Sequence, residues 1–338
     1  MLLFAAHDPG ARNHVWPVYQ HALNLGEEAK YIDLTSRSDL MNWESARQFI
    51  EKISPRLLFS GCSIRAIGGG IDPSMSPPNG EWPLVRACKF HEIPSIAVVD
   101  FTAKGKLDGM SVTDFPDSFL TTNLSCTVQL HELGANPEAV ILTGSTHLEH
   151  YMRSEPAYCA SEVKTLYGLD RSRVIVPFFC GPDTTAAVEA VASIIGNREI
   201  AGLIDTTLVI RAHPRAPNQY RFHQISRCFS DLIFDEGATV DNLSLLKSSP
   251  LSFSMGSAVS LESLVVGTPS AFYQIDWSYA ALDEFYQNLE TIPRIRNTKE
   301  LSLFVSSVLK DELTAANMDA QQHAGAITRS WEVLSELL

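Results

Sequence analysis

An α/β chain made of two doubly wound parallel sheets is expected from this sequence on three grounds. Its 338 residues exceed what one hydrophobic core usually organises and suit two domains of ordinary size. Short runs that are apolar throughout, such as residues 2–6 and 208–210, alternate with longer mixed stretches, as expected for strands covered on both faces by helices. Small and polar residues follow many of these runs, where a strand would turn into a helix.

In chain order, residues 2–6 read as a central strand, followed by a loop over 7–13 and a helix over 15–25. Pro17 fits that helix only in its first turn, where the missing N–H would have had no partner. Strands are expected at 29–34 and 56–60, a helix at 43–53, and a small turn at Gly61-Cys62-Ser63. Residues 68–79, with three consecutive glycines and Pro73, Pro77 and Pro78, read as a flexible loop or surface excursion. A helix at 82–91, a strand at 93–100, a strand at 119–122, a helix at 126–133 and a strand at 139–143 complete the first half. Residues 102–116 show no periodicity.

A second series begins after Gly144 and a helical stretch around 158–167. Strands are expected at 173–179, 207–212, 251–254 and 270–274, helices at 184–195, 220–229 and 243–247, and mostly helix from there to Leu338. The domain expectation is therefore a Rossmann-like half over 1–150, a second over 151–315, and a C-terminal helix over 316–338 crossing back to the first.

Composition narrows the function. A hydrophobic content of 45% with 19% charged residues suits a soluble globular enzyme. The net charge of −13 argues against a nucleic-acid partner, whose phosphates need a basic surface. Six dispersed cysteines with no C-x-x-C pair suggest reduced thiols in a cytoplasmic protein. The apolar start lacks a basic flank and is broken by His7-Asp8-Pro9-Gly10, too soon for a signal peptide or a membrane span. Peripheral membrane contact through a surface patch stays open.

In sheets of this kind ligands bind at the carboxyl ends of the strands. The polar residues expected there are His7, Asp8 and His14; Gly61 to Ser63; Asp100; Gly144 to His147; Gly181 to Thr185; Arg211 to Arg215; and Ser254 to Ser257. No G-x-G-x-x-G or G-x-x-x-x-G-K-[ST] pattern occurs, which disfavours a dinucleotide oxidoreductase and a phosphate-loop NTPase. The first loop gathers two imidazoles and a carboxylate, so His14, Asp8 or His7 is a candidate base for a sugar hydroxyl. The plainer alternative has His14 helping to start the helix and Asp8 satisfying the turn backbone. Arg211 and His213, two apart, share one strand face and could neutralise a diphosphate, or form a solvated basic strand end. Gly181 and Thr184 could contact phosphate, or belong to an Asp/Thr helix cap. The Ser254-Met255-Gly256-Ser257 turn could present backbone N–H groups and hydroxyls to an anion, and Glu262 could accept hydrogen bonds from a hydroxylated ligand. No metal is expected, since the His147 to His150 run lies in the link between halves and lacks ligand spacing.

With these residues in view, the second half resembles the nucleotide-binding domain of GT-B glycosyltransferases and their relatives. The match rests on Arg211-Ala212-His213-Pro214, then Asp241-Asn242-Leu243, Ser254-Met255-Gly256-Ser257, and Glu262 ahead of Gly267-Thr268-Pro269. The resemblance implies two Rossmann-like parallel-sheet domains facing across a cleft. It also implies that Ser254, Gly256 and Ser257 meet a donor diphosphate, that Glu262 binds ribose hydroxyls and that His213 helps neutralise phosphate. The R-x-H-P element is similar to that of bacterial transferases building capsule, teichoic-acid-like polymers and sialylated glycans. Asn13-His14-Val15-Trp16-Pro17 is similar to the G-G-H-x-x-P start of peptidoglycan N-acetylglucosaminyltransferases, without its double glycine.

The function expected on this basis is a metal-independent, inverting glycosyltransferase of polysaccharide biosynthesis. A nucleotide-sugar donor is its substrate, no cofactor is needed, and the acceptor is not specified. Three alternatives share the fold: a non-hydrolysing nucleotide-sugar 2-epimerase, a CDP-polyol phosphotransferase, and a non-catalytic binding subunit. The epimerase needs acidic residues facing the sugar from the first half, where Asp8 and Asp100 stand at strand ends.

Overall fold

The structure, a computed structural model, describes residues 1–63, 80–100, 102–103, 106–107, 110–181, 183–213, 220–236, 239–275, 292–310 and 320–338. The glycine- and proline-rich stretch 68–79, Pro182, Pro214 and Arg215 lie outside the described residues. The chain divides into two units, Met1–His150 with Gln321–Leu338, and Tyr151–Ala320.

In unit 1 the strands are β1 (Leu2–Ala6), β2 (Ala29–Asp33), β3 (Leu57–Ser60), β4 (Ser95–Val99), β5 (Ser118–Thr121) and β6 (Val140–Leu142). The intervening helices are α1 (Pro9–Asn24), α2 (Trp43–Ile53), α3 (Trp82–Phe90) and α4 (Leu124–Glu132), and in α5 (Thr146–Arg153) the chain leaves the unit. All strand pairs are parallel, in the order β2-β1-β3-β4-β5-β6. Alternation along β1 fills two layers: Leu3 and Ala5 pack with Ile50, Val85 and Phe119, while Leu2 and Phe4 pack with Val15, Val18 and Phe59.

Helix α1 begins six residues earlier than the sequence suggested. Asp8 is its N-cap, accepting the Ala11 N–H at 2.8 Å, and Pro9 occupies the first turn, where no N–H is required. Pro17 consequently sits inside the helix, buried, and forfeits one backbone hydrogen bond there.

Unit 2 opens with α6 (Ala160–Leu166), followed by β7 (Val174–Phe179), α7 (Thr184–Gly196), α8 (Arg198–Ala201), β8 (Thr206–Arg211), α9 (Tyr220–Ser226) and β9 (Leu232–Phe234). It continues with α10 (Asn242–Lys247), β10 (Ser252–Ser254), α11 (Val259–Val265), β11 (Ser270–Tyr273), β12 (Arg294–Ile295) and α12 (Thr298–Leu309). Its sheet is also parallel, ordered β12-β11-β10-β7-β8-β9. The edge strands β9 and β12 were not anticipated; three and two residues are too few to show a period.

The last stretch, with α13 (Ala320–His323) and α14 (Ala326–Glu336), is tied into unit 1 by long-range polar contacts. The buried Glu149 carboxylate accepts the N–H groups of Gly325 and Ile327 at 2.9 and 2.6 Å. Arg329 donates to the Thr143 carbonyl through Nε and Nη2, at 2.9 and 2.6 Å. Gly144 has φ +84°, and a Cβ there would come 2.5 Å from the Gln322 carbonyl, so glycine is needed twice over.

Candidate functional site

Each sheet has a topological switch point where successive connections leave in opposite directions, and the crevice outside the strand ends there is where ligands bind in such folds. In unit 1 it lies between β1 and β3, in unit 2 between β7 and β10.

The unit 1 crevice is lined by charge. Asp8 follows β1 and Asp100 follows β4. A methyl on Gly10 would sit 2.9 Å from Asp100 Oδ2 and 3.3 Å from Asp8 Oδ1, so the two carboxylates flank one point above the first turn of α1. Asp100 forms an ion pair with Lys106, whose side chain is only 5% exposed. Behind them Glu81, fully buried, accepts the His7 N–H at 2.7 Å, the Ser63 N–H at 3.1 Å and the Ser63 hydroxyl at 2.5 Å. Glu81 thereby joins the loops after β1 and β3, and Ser63 Oγ in turn accepts the Asp8 N–H at 3.2 Å. Burial pushes the Glu81 carboxyl up, against the pull of its hydrogen bonds from Ser63 and His7.

His14 lies on α1 with 1% exposure, its ring 5.8 Å from that of His147. Burial, then the charges of His147, Lys106 and His323, hold its imidazole well below the ordinary value of 6.5. It is a neutral, buried base, available at neutral pH but screened from solvent. His7 is half-buried, and Gly80 packs against its ring where a Cβ would come 2.5 Å from Cγ. Asp8 spends one carboxylate oxygen on the helix cap.

The unit 2 crevice is lined by hydroxyls and backbone. Gly256 takes φ +85°, and the Ser254 hydroxyl accepts the N–H groups of Gly256 and Ser257 at 3.3 and 3.2 Å, closing the turn after β10. Ser257 Oγ accepts the Val259 N–H at 3.3 Å at the start of α11. Behind the turn runs a chain of buried hydroxyls: Ser252 donates to Ser270, Ser270 to Ser260, and Ser260 meets Ser254, at 2.9, 2.9 and 2.8 Å. Gly181 lies beside Met255, and Asp183 caps α7 by accepting the N–H groups of Thr185 and Ala186 at 2.8 and 3.2 Å. Thr184 is buried in that first turn.

Arg211 ends β8 buried, with its guanidinium held inside the fold. It pairs with Asp235 at 2.9 Å, donates to Asn242 Oδ1 at 3.0 Å and also donates to the Val240 carbonyl. His213, two residues on, is half-buried. Glu262 is 7% exposed inside α11, and Tyr151 lies beside it. Burial, followed by the negative charge of Glu262 and Asp241, pushes that phenol up.

The structure thus brings Asp8 and Asp100 to one crevice of unit 1, buries His14 beside His147, and brings Gly181, Thr184 and the Ser254 turn to one crevice of unit 2. Three participants escaped the sequence reading. Lys106 stands in the aperiodic stretch, Glu81 precedes a helix without marking it, and Tyr151 sits in a link; only long-range contacts give them meaning. Among the described residues no group of three or more His, Cys, Asp or Glu side chains could hold a metal ion. No described helix is long and apolar enough to cross a membrane.

No protein-family model and no curated protein matches the sequence. Solved structures do match in fold. The UDP-GlcNAc 2-epimerase of Methanocaldococcus jannaschii aligns with TM-score 0.69 over 99% of both chains at 9% identity. The Neisseria meningitidis UDP-GlcNAc 2-epimerase bound to UDP-GlcNAc aligns with TM-score 0.67 over 99% of both chains at 10% identity. MurG of Acinetobacter baumannii aligns with TM-score 0.56 over 99% of both chains at 10% identity. The chain therefore has the GT-B fold that the motifs implied, with its two six-stranded parallel sheets.

Proposed function

We propose that this chain is a non-hydrolysing epimerase that inverts C2 of a nucleoside-diphosphate sugar of the UDP-N-acetylglucosamine type. The observation that carries the reading is the convergence of Asp8 and Asp100 on Gly10, at the strand ends of unit 1. Sugar transfer needs one base, whereas inversion of a C–H centre needs groups that take a proton from one face and return one to the other. The fold likeness supports the same choice, since it is greater to the UDP-GlcNAc 2-epimerases than to MurG.

The chemistry has two parts, a proton transfer and the departure of a diphosphate. C2 has no carbonyl beside it, so its C–H electron pair must move into a C1=C2 double bond as the C1–O bond to the diphosphate breaks. Return of the diphosphate to C1 and of a proton to the opposite face of C2 restores the sugar with inverted configuration. In this reading unit 1 handles the proton with Asp100 and Asp8, and unit 2 holds the diphosphate on the Ser254–Ser257 turn and His213, with Glu262 on the ribose. Arg211 would act indirectly, by fixing the end of β8 from which His213 projects.

The test is incubation of purified protein with UDP-GlcNAc alone in D2O, followed by NMR. Deuterium at C2 together with the manno epimer is the expected result. The likeness to MurG keeps sugar transfer as the rival. That reading predicts no exchange at C2 and release of UDP only when an acceptor sugar is added.

A further inference from the structure

Among the described residues, Lys106 is the only lysine or arginine of unit 1 that is buried. Burying an ammonium without an anionic partner costs several kcal/mol, so its placement calls for a reason. Its partner is Asp100, the same carboxylate that Gly10 lets approach the first turn of α1 beside Asp8. Two carboxylates flanking one point repel one another, and a cation beside one of them offsets that repulsion.

Other titratable groups among the described residues also lie near this pair. His14 faces Lys106 from α1, and burial keeps that imidazole neutral. Cys62 from the loop after β3 and Cys126 from α4 also feel the Lys106 charge, yet burial pushes both thiols up to about 12, so they stay protonated. Glu81, from the start of α3, adds a carboxyl with a raised proton affinity.

We propose that Lys106 is a positioning residue for proton transfer: its ammonium keeps Asp100 ionised beside Asp8 and so makes Asp100 the member of the pair that starts as the base. This rests on the epimerase reading and deepens it. Gly10 has the matching steric part, leaving room for the Asp8 and Asp100 carboxylates, while Lys106 holds the other oxygen of Asp100.

The experiment follows the acid limb of kcat against pH, read as C2 deuterium exchange, in wild type, Lys106→Met and Lys106→Arg. The limb should rise by about 1–3 pH units in Lys106→Met and return close to wild type in Lys106→Arg. A lysine with only a structural role would lower the melting temperature and leave the limb in place; a folded Lys106→Met protein with the wild-type limb overturns the proposal. A second measurement needs neither a variant at Lys106 nor any substrate. In wild-type protein carrying 13Cγ-labelled aspartate, with Asp100→Asn used for assignment, the Asp100 carboxyl should titrate below about 3.9, and a midpoint at or above that value overturns the proposal. If UDP-GlcNAc and other nucleotide sugars show no exchange in the wild type, the functional reading fails, and the titration still decides the role of the ion pair.

Discussion

At the switch point of unit 1 the strand ends carry charge: Asp8 and Asp100 beside Gly10, Lys106 paired with Asp100, and Glu81 buried behind. At the switch point of unit 2 they carry hydroxyls and main chain, and the buried ion pair Arg211–Asp235 is turned into the fold. Both sheets are parallel and six-stranded, so topology does not cause the difference. A crevice that moves protons needs groups whose charge can change, whereas one that holds a diphosphate needs fixed dipoles that do not. The comparison predicts that the buried ion pair is functional in unit 1 and structural in unit 2.

Arg211→Ala tests the structural half most severely. It would leave Asp235 buried beside Tyr167 without its cation, at a cost of about 3–5 kcal/mol. Urea unfolding followed by a unit 2 probe should show that loss. A change below about 1 kcal/mol would mean that the guanidinium serves ligand rather than fold.

Gly10→Ala tests the functional half. Its Cβ would press on Asp100 and Asp8, and misplacing a reacting group can cost up to about 100-fold in turnover. C2 exchange should fall by about 10-fold or more while calorimetric UDP binding, assigned to unit 2, stays within about twofold. Equal losses in both would dissolve the division of labour.

Much of the scaffold of this comparison was legible in the sequence. The buried strands announced themselves because parallel strands covered on both faces must be apolar throughout. Asp8-Pro9 was a readable helix start, yet Pro17 drew the expected boundary inward, since a proline fits most easily in a first turn. Gly10 was visible only as a lone glycine; its meaning comes from Asp100, ninety residues away in the chain. Lys106 had no signal, because neither its burial nor its partner leaves a local period. The three imidazoles of His14, His147 and His323 come from separate segments that only the tertiary fold brings within electrostatic reach. The Ser254 turn was legible as a turn between strand and helix because its pattern is local.

The buried His14 imidazole gives unit 1 a pH response in its stability. His14 is held well below 6.5 when folded, so unfolding takes up a proton between that value and 6.5. Its contribution is complete above 6.5 and is lost as pH falls through the window, at up to about 1.4 kcal/mol per pH unit. The raised Glu81 carboxyl works the other way, contributing below its ordinary value of 4.5 and losing that contribution as pH rises through its folded value. The difference between wild type and His14→Gln isolates the imidazole. Urea midpoints for unit 1 should fall between pH 7.5 and 5.5 in wild type and flatten in the variant. A similar slope in both proteins would place the pH response elsewhere.

The smallest expected effect is the sharpest test of the hydroxyl-lined crevice. Asp183 puts a negative charge at the start of α7, two residues after Gly181, which meets Met255. A diphosphate on the Ser254 turn would be repelled by it. Asp183→Asn removes the charge and keeps a side-chain oxygen for the Thr185 and Ala186 N–H groups, since asparagine caps helices as well as aspartate does. Stability should therefore change little, and UDP should bind about 2–5-fold more tightly at low salt, the range of one charge near a helix end. The gain should shrink as ionic strength rises, because Asp183 is exposed and its field is screened over about 10 Å at 0.1 M salt. Unchanged affinity at low salt would move the diphosphate away from this turn, and the contrast between the two crevices would then lose its unit 2 half.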